Sequence, residues 1–387
     1  MARRRFGSVR RLPSGRYQAS YHDDSTSGRI VAPMTFATAT DARTWLATVE
    51  ADLARGELLD PRLSRRLFSE WAAEWLAGLH VKPKTLVGYE SALRVHVLPM
   101  FGQMPVAAIT YRDCKAFVDE LLRSGLAPGT VGDARKILRL VLQEAMRADA
   151  IRRNPADRLR VPRGRRDEMV FLTIAEVLDL AEHVAHPPRP ARHALREFPS
   201  YSLLVRLVAF TGLRAGEVAA LRVGRVNPLH GRLQVAESVE EVHGKLVYGP
   251  PKTYAHRSVP IPAQLADELG EHLERRPGDP DAFVFTAADG GPMRHSNFYR
   301  RYFKPGVHRA GLDPRTRFHD LRHTAAALMI NEGAHLLSVK ERLGHSTIQV
   351  TADRYGHLFP SLEAALTDRL DAAYSVALAD RVRGSSR

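Results

Sequence analysis

The chain has 387 residues, which is longer than one ordinary domain and favours two or three. Its net charge of +14 and pI near 10.2 favour a polyanion as the partner. The single cysteine, Cys114, excludes an intramolecular disulfide and a cysteine-based zinc cluster, and it fits a cytoplasmic location. The absence of a run of about 18 apolar residues predicts no membrane span, and the N-terminal arginines lack the apolar core of a secretory signal.

The N-terminal segment, residues 1–62, is basic and patterned as a small sheet with one helix. Residues 1–16 carry six arginines and no acid. Strands are predicted over Arg16–Tyr21 and Arg29–Phe36, and the helix is capped by Thr40 or Asp41. We interpret the segment as a three-stranded sheet plus helix that could lie in a DNA groove. The alternatives are an accessory β-module without a DNA role, or a disordered basic tail at the start.

Residues 66–153 are helical in pattern. Trp71, Trp75 and Leu79 recur at helical spacing, which is typical of core positions. The segment is therefore predicted to form a compact helical bundle. Its candidate phosphate contacts are Lys82, Lys84, Arg135, Lys136 and Arg139. Taken singly, each of them could equally be an ordinary surface cation.

A basic linker is predicted at residues 154–168. Ile151–Arg166 contains seven arginines, with Asp157 as its one acid, and its prolines and glycine oppose regular structure. Such a segment predicts a hinge that also lies along the duplex, so that the domains on either side close on DNA.

The last domain, residues 169–387, is predicted to begin with a capping box at Thr173 and Glu176. Residues 186–199 are predicted to be a surface insertion, and the chain from Ser296 is mostly helical. Three short antiparallel strands are predicted over Leu233–Val239, Leu246–Tyr248 and Arg257–Ile261. An apolar-periodic tail covers Leu358–Leu378. The fold class is therefore α+β and mostly helical: a sheet-plus-helix domain, a helical bundle and a mixed α/β domain.

Five short motifs in the last domain carry side chains suited to phosphate chemistry. They are T-G-L-R-A-G-E with Arg214, P-P-K-T with Lys252, F-H-D-L-R-H-T with His319 and Arg322, L-G-H with His345, and D-R-Y-G-H with Tyr355. Two guanidinium groups can bind one phosphate through paired hydrogen bonds. Tyrosine is a weak nucleophile at its free pKa of about 10 and needs cationic neighbours to attack phosphorus.

These motifs, in this order and with the tyrosine last, resemble those of the tyrosine recombinase (phage integrase) family. The resemblance implies that Tyr355 attacks a DNA phosphodiester to give a 3′-phosphotyrosyl bond and a free 5′-hydroxyl. Arg214 and Arg322 would bind the non-bridging oxygens, and Lys252 would protonate the leaving oxygen. His319 would assist deprotonation of Tyr355, and His345 would hydrogen-bond a non-bridging oxygen. Glu217 would orient the site, and the reaction would need no metal, ATP or other cofactor.

The same resemblance implies the partners. They are double-stranded DNA with two attachment sites and further copies of the chain, assembled as a tetramer in synapsis. The C-terminal tail would link protomers, and the N-terminal domain would bind arm-type DNA. The resemblance leaves room for a DNA-bending accessory or directionality factor, and it implies no membrane partner.

Three other functions fit part of the pattern. A zinc hydrolase would use His319 and His323, which are four residues apart, but Asp320 stands where H-E-x-x-H has glutamate and no third ligand is indicated. His323 is instead interpreted as a structural residue. A catalytically inactive DNA-binding protein would not need Tyr355, and a type IB topoisomerase would use much the same residues. The arm-like N-terminal domain favours a recombinase that integrates or excises a mobile element.

Overall fold

A computed structural model of the chain describes residues 6–23, 28–54, 59–162, 164, 168–187, 198–251, 256–275, 278–287, 289–359, 367 and 370–378. The chain divides into two compact units, Met1–Arg166 and Asp167–Arg387. Among the residues described, no helix has the length and apolarity that a membrane span requires.

The first unit begins with a small antiparallel sheet covered by one helix. Its elements are β1 (Ser8–Arg11), β2 (Tyr17–Asp23), β3 (Gly28–Val31) and α1 (Ala39–Ala54). β2 is the central strand, and its Ala19 and Tyr21 are buried against Leu46 of α1. The predicted strand Arg29–Phe36 was too long, because the ladder between β2 and β3 ends at Val31 and Phe36 forms only an isolated bridge with Tyr17.

The rest of the first unit is a helical bundle. Its helices are α2 (Pro61–Arg65), α3 (Phe68–Ala77), α4 (Pro83–Ala92), α5 (Leu98–Phe101), α6 (Tyr111–Arg123) and α7 (Pro128–Arg147), with a π-helical turn at Leu93–Val97. The predicted core residues Trp71 and Trp75 are buried against α7. Ala156 and Leu159, in the predicted linker, are also buried in this core, so the first half of that segment packs on the bundle.

The second unit is mixed. Its elements up to the last strand are α8 (Ile174–Ala185), α9 (Pro199–Thr211), α10 (Ala215–Ala219), β4 (Val226–Asn227), β5 (Arg232–Val235), β6 (Ser238–Val242), β7 (Lys245–Gly249) and β8 (Arg257–Pro260). The helices after them are α11 (Ala263–Glu274), α12 (His295–Phe298), α13 (Lys304–Arg309), α14 (Phe318–Asn331), α15 (Leu336–Leu343) and α16 (Ile348–Tyr355). The capping box at the start of α8 forms as predicted, with Thr173 and Glu176 exchanging hydrogen bonds.

The strands of the second unit form two sheets where the sequence predicted three neighbouring strands. One sheet has the order β4-β5-β8 and the other is the hairpin β6-β7. The predicted strand Leu233–Val239 is broken after Val235, and its second part starts β6 at Ser238. Both parts carry an inward-facing apolar residue, so apolar alternation alone did not reveal the break.

A buried helix pair supports the site. α14 packs along α9, and Gly212 ends α9 in the left-handed conformation with φ of 73°. A Cβ atom at Gly212 would lie 2.3 Å from the Leu343 side chain of α15. Glycine is required there by both the backbone angle and the close approach of α15.

Candidate active site

The last turn of α15 gathers three arginine side chains from distant parts of the chain. The carbonyl oxygens of Arg342, Leu343 and Gly344 accept hydrogen bonds from Arg257 Nε (3.1 Å), Arg322 Nη2 (2.6 Å) and Arg214 Nη2 (3.2 Å), in that order. The final carbonyls of a helix have no partner within the helix and carry its partial negative charge. The L-G-H turn therefore fixes the cations that the sequence predicted at Arg214 and Arg322.

Glu217 joins two of these arginines. It is 2% exposed, and its carboxylate accepts from Arg214 Nη1 (2.8 Å) and from Arg257 Nη1 (3.0 Å) and Nη2 (2.7 Å). The backbone N–H of Arg214 adds a fourth bond at 2.9 Å. Burial opposes the charge of Glu217, but the hydrogen bonds and charges of Arg257 and Arg214 outweigh it and lower the pKa of Glu217 to about 2. Its predicted orienting role fits these contacts.

Arg322 is the most deeply buried of these three arginines. It is 1% exposed, and its guanidinium also donates to the carbonyl oxygen of Gly212. Burial, followed by repulsion from Arg214, lowers the pKa of Arg322 to about 9, so the side chain remains charged at neutral pH. A planar fork held by two carbonyls presents its charge in one fixed direction.

His345, the last residue of the L-G-H turn, forms a hydrogen bond with α16, the helix that ends at Tyr355. Its Nδ1 lies 2.8 Å from the hydroxyl of Thr351, and both side chains are buried. Thr351 is four residues before Tyr355, on the same face of α16. Burial and the charges of Arg322 and Arg214 lower the pKa of His345 to about 3, so the ring is neutral at physiological pH.

Tyr355, the last residue of α16, lies beside His323 and His345. Its side chain is fully buried at the end of α16, and its hydroxyl lies 2.7 Å from Nδ1 of His323. Burial raises the pKa of Tyr355, although the charges of Arg322, Arg354 and Arg214 oppose the increase. The tyrosine is therefore a protonated phenol at neutral pH.

His319 lies at the exposed edge of the cluster. Its ring meets that of His323 edge to face, with centroids 4.8 Å apart. Partial loss of hydration, with the charges of His323 and Arg322 as further causes, lowers the pKa of His319, and burial lowers the pKa of His323 to about 4. The exposed edge of His319 argues for a smaller change than at His323. The phenol thus bonds the histidine that was interpreted as structural, and not His319.

Of the predicted site residues, Lys252 lies outside the described residues. The other five meet in one cluster: Arg214, His319, Arg322, His345 and Tyr355. The described residues contain no group of three His, Cys, Asp or Glu side chains that could hold a metal ion. His319 and His323 thus have no third ligand of this kind among those residues, and Nδ1 of His323 is occupied by the phenol.

The sequence missed three contributors: Arg257, Thr351 and the contact of His323. Arg257 was interpreted only as the start of a strand, and its pairing with Glu217 joins residues 40 positions apart. Helical spacing could have indicated the other two. Thr351 is four residues before Tyr355, and His323 is four residues after His319.

The buried neutral histidines predict a loss of stability in mild acid. A histidine whose pKa is lowered on folding binds fewer protons than in the unfolded chain, so stability falls as pH falls from about 6.5 towards 4. For His323 and His345 the loss is about 1.4 kcal/mol per pH unit each. We expect the melting temperature of the second unit to be lower at pH 5 than at pH 7.5, as measured by calorimetry. The melting temperature of His345→Gln should fall less between pH 7.5 and pH 5 than that of the parent. An equal fall in parent and variant would contradict a buried, neutral His345.

Three family models match the chain. The phage integrase family matches residues 171–361, the phage integrase N-terminal domain matches residues 5–55, and the phage integrase N-terminal SAM-like domain matches residues 67–122. Their order follows the three segments that the sequence patterns separated.

Two of the similar curated proteins are integrases of mobile elements. The prophage phiRv2 integrase of Mycobacterium tuberculosis is 30% identical over 374 residues, covering 92% of each chain. The ICEBs1 integrase of Bacillus subtilis is 28% identical over 386 residues, covering 94% of this chain and 99% of the relative.

Among solved structures, the Tn1549 transposon integrase in complex with a circular intermediate DNA aligns with a TM-score of 0.68 at 21% identity, covering 78% of this chain and 99% of that one. A lambda integrase dimer bound to a COC′ core site aligns with a TM-score of 0.57 at 18% identity, covering 92% of this chain and 96% of that one. These two likenesses concern the fold. The family models and the phiRv2 relative establish that the chain belongs to the phage integrase family and is a site-specific tyrosine recombinase of the kind that integrates or excises mobile elements.

Proposed function

We propose that this recombinase cleaves DNA through Tyr355, with the phosphate held between Arg214 and Arg322. The observation that carries the proposal is the L-G-H turn, where consecutive carbonyls hold both guanidiniums beside a buried tyrosine. The charges of Arg322 and Arg214 reach Tyr355 and favour its phenolate. Positioned cations stabilise the charge that gathers on the non-bridging oxygens during attack.

The reaction proceeds in two reversible steps. Tyr355 attacks phosphorus, a 3′-phosphotyrosyl bond forms and the 5′-oxygen leaves with a proton from Lys252. A 5′-hydroxyl from a second duplex then attacks the phosphotyrosine and releases the enzyme. His345, whose Nδ1 is occupied by Thr351, presents Nε2 to a non-bridging oxygen. His319, at the exposed edge, contacts the phosphate from the open side.

Double-stranded DNA with two attachment sites is the proposed substrate, bound by a tetramer in synapsis. Structures of lambda integrase show a dimer bound to a core site and a tetramer bound to a Holliday junction. In this chain residues 1–62 would bind arm-type DNA and residues 66–153 core DNA, joined to residues 169–387 by the basic segment 154–168. In the tail, Leu370, Tyr374 and Val376 are exposed, as expected of a segment that docks on a neighbouring protomer.

The test is covalent capture on a nicked suicide duplex whose short flank diffuses away after cleavage. The DNA is taken from the junctions that flank the gene, and the chain is incubated with EDTA before a denaturing gel. We expect a protein–DNA adduct with the parent and none with Tyr355→Phe, because the variant lacks the nucleophilic oxygen.

Three outcomes would contradict the proposal. An adduct with Tyr355→Phe would place the nucleophile elsewhere. Cleavage that EDTA abolishes would point to a metal-dependent nuclease, and tight binding without an adduct would favour a DNA-binding role. Transfer of the captured strand to a second duplex would distinguish recombination from relaxation of supercoils.

A further inference from the structure

The two histidines of α14 are not equivalent in their relation to the nucleophile. His323 is 5% exposed, and its Nδ1 lies 2.7 Å from the hydroxyl of Tyr355, which is itself fully buried. His319 is one turn earlier on the helix and meets His323 through ring contact. The contact with the oxygen that attacks phosphorus therefore belongs to His323.

The direction of this hydrogen bond follows from the chemistry of the two groups. A phenol is a good donor and a weak acceptor, because its lone pairs are shared with the ring, whereas the unprotonated nitrogen of a neutral imidazole is a good acceptor. Loss of hydration lowers the pKa of His323 and keeps the ring neutral, although Asp320 opposes this. The Tyr355 hydroxyl thus donates to Nδ1, and the ring proton of His323 resides on Nε2.

We infer that His323 is a further catalytic residue, the base that accepts the Tyr355 proton through Nδ1 during attack. The inference rests on the proposed function of Tyr355. The bond from Tyr355 Oη to phosphorus forms as the bond from phosphorus to O5′ breaks, and the Oη proton passes to Nδ1. The electron pair left on O5′ takes a proton from the general acid. Rejoining returns the proton from Nδ1 to Oη.

A weak base is suited to this step. The free phenol holds its proton tightly, but the same proton becomes strongly acidic once the oxygen has begun to bond to phosphorus. A base whose pKa lies between these two limits gains the proton late in the attack. Arg322 lowers the cost of the phenolate, and the bound phosphate anion stabilises the imidazolium that forms.

The experiment compares His323→Asn with the parent on two suicide duplexes. One has the ordinary 5′-oxygen leaving group, and the other has a bridging 5′-sulfur that leaves without a proton. Asparagine keeps an oxygen near the Nδ1 position but cannot take the proton. We expect adduct formation by His323→Asn to be about 100-fold slower on both duplexes. Lys252→Ala is the matched control, and the sulfur substrate should restore its rate, because Lys252 serves the leaving group.

A second measurement needs no DNA. Nitrogen-15 NMR of histidine-labelled chain, with the His323 signals identified by His323→Asn, should show Nδ1 unprotonated and shifted by Tyr355→Phe. Melting temperature and DNA affinity of His323→Asn verify that it folds.

Several results would overturn the base role while the proposed function stands. They are a protonated Nδ1, rescue of His323→Asn by the sulfur substrate, and cleavage by a folded His323→Asn at or above the parental rate. A parent that forms no adduct would overturn the proposed function first and the base role with it. In that case the NMR result would still decide whether the hydrogen bond exists.

Discussion

Replacing Arg322 with lysine is expected to slow DNA cleavage by about 1,000-fold, on the scale of losing a main oxyanion donor. Arg322 is 1% exposed and its guanidinium spans two carbonyl oxygens, those of Gly212 and Leu343. Lysine keeps the charge but has a point-like head group that cannot reproduce the planar fork. The rate of adduct formation in a single turnover on the suicide duplex measures the effect.

Arg354→Lys is the matched control for that variant. Arg354 is exposed on α16, and its charge reaches Tyr355 as that of Arg322 does. Lysine at this position keeps a solvated charge, so cleavage should stay within about threefold of the parent. If Arg322→Lys cleaved within tenfold of the parent, the fork would not be needed and the proposed phosphate site would be wrong.

Glu217→Gln is expected to destabilise the second unit by about 3–5 kcal/mol, the usual cost of removing one partner from a buried ion pair. Arg214 and Arg257 would both lose their anion, while the side chain keeps its volume. In the parent, the ionised Glu217 carboxylate contributes its full stabilisation above the ordinary pKa of 4.5. This stabilisation is lost only as pH falls towards 2, so it is complete at neutral pH. Urea unfolding of parent and variant at pH 7.5 measures the difference.

Glu341→Gln serves as the control for Glu217, because Glu341 is exposed on α15. Its effect should stay within about 0.5 kcal/mol. The Glu217 variant should also cleave more slowly, since Arg214 loses the carboxylate that orients it. Unfolding midpoints that coincide for parent and Glu217→Gln would refute the role of this carboxylate.

Five of the six site residues that the sequence predicted meet in one cluster, but most of their contacts were not predicted. The four motifs that the structure describes carry residues that meet in space, and each of these motifs lies at the end of a helix or in a turn, where local patterns are strong. Pairing between Arg257 and Glu217 depends on the meeting of β8 with α10, which no local pattern contains. The partner of Tyr355 was equally undetermined, since His319 and His323 are one turn apart on α14.

Two predictions of local structure differ from the observed fold: the extent of the linker and the pairing of the strands in the second unit. The segment after Ile151 was interpreted as a linker from its arginines and prolines, but Ala156 and Leu159 are buried in the core of the bundle. Small and isolated apolar residues give little periodic signal among charged neighbours. The two sheets of the second unit likewise depend on strand pairing, which the alternation of single strands does not specify.

The short connection between α15 and α16 limits how far the nucleophile can travel. Three residue steps separate His345 from Ile348, so the start of α16 stays within about 10 Å of the L-G-H turn at full extension. The helix adds about 10 Å more to reach Tyr355. The tyrosine is thus tethered to the arginines of its own chain. Cleavage at a phosphate held by another protomer, more than about 20 Å from this turn, would require a helix end to unwind.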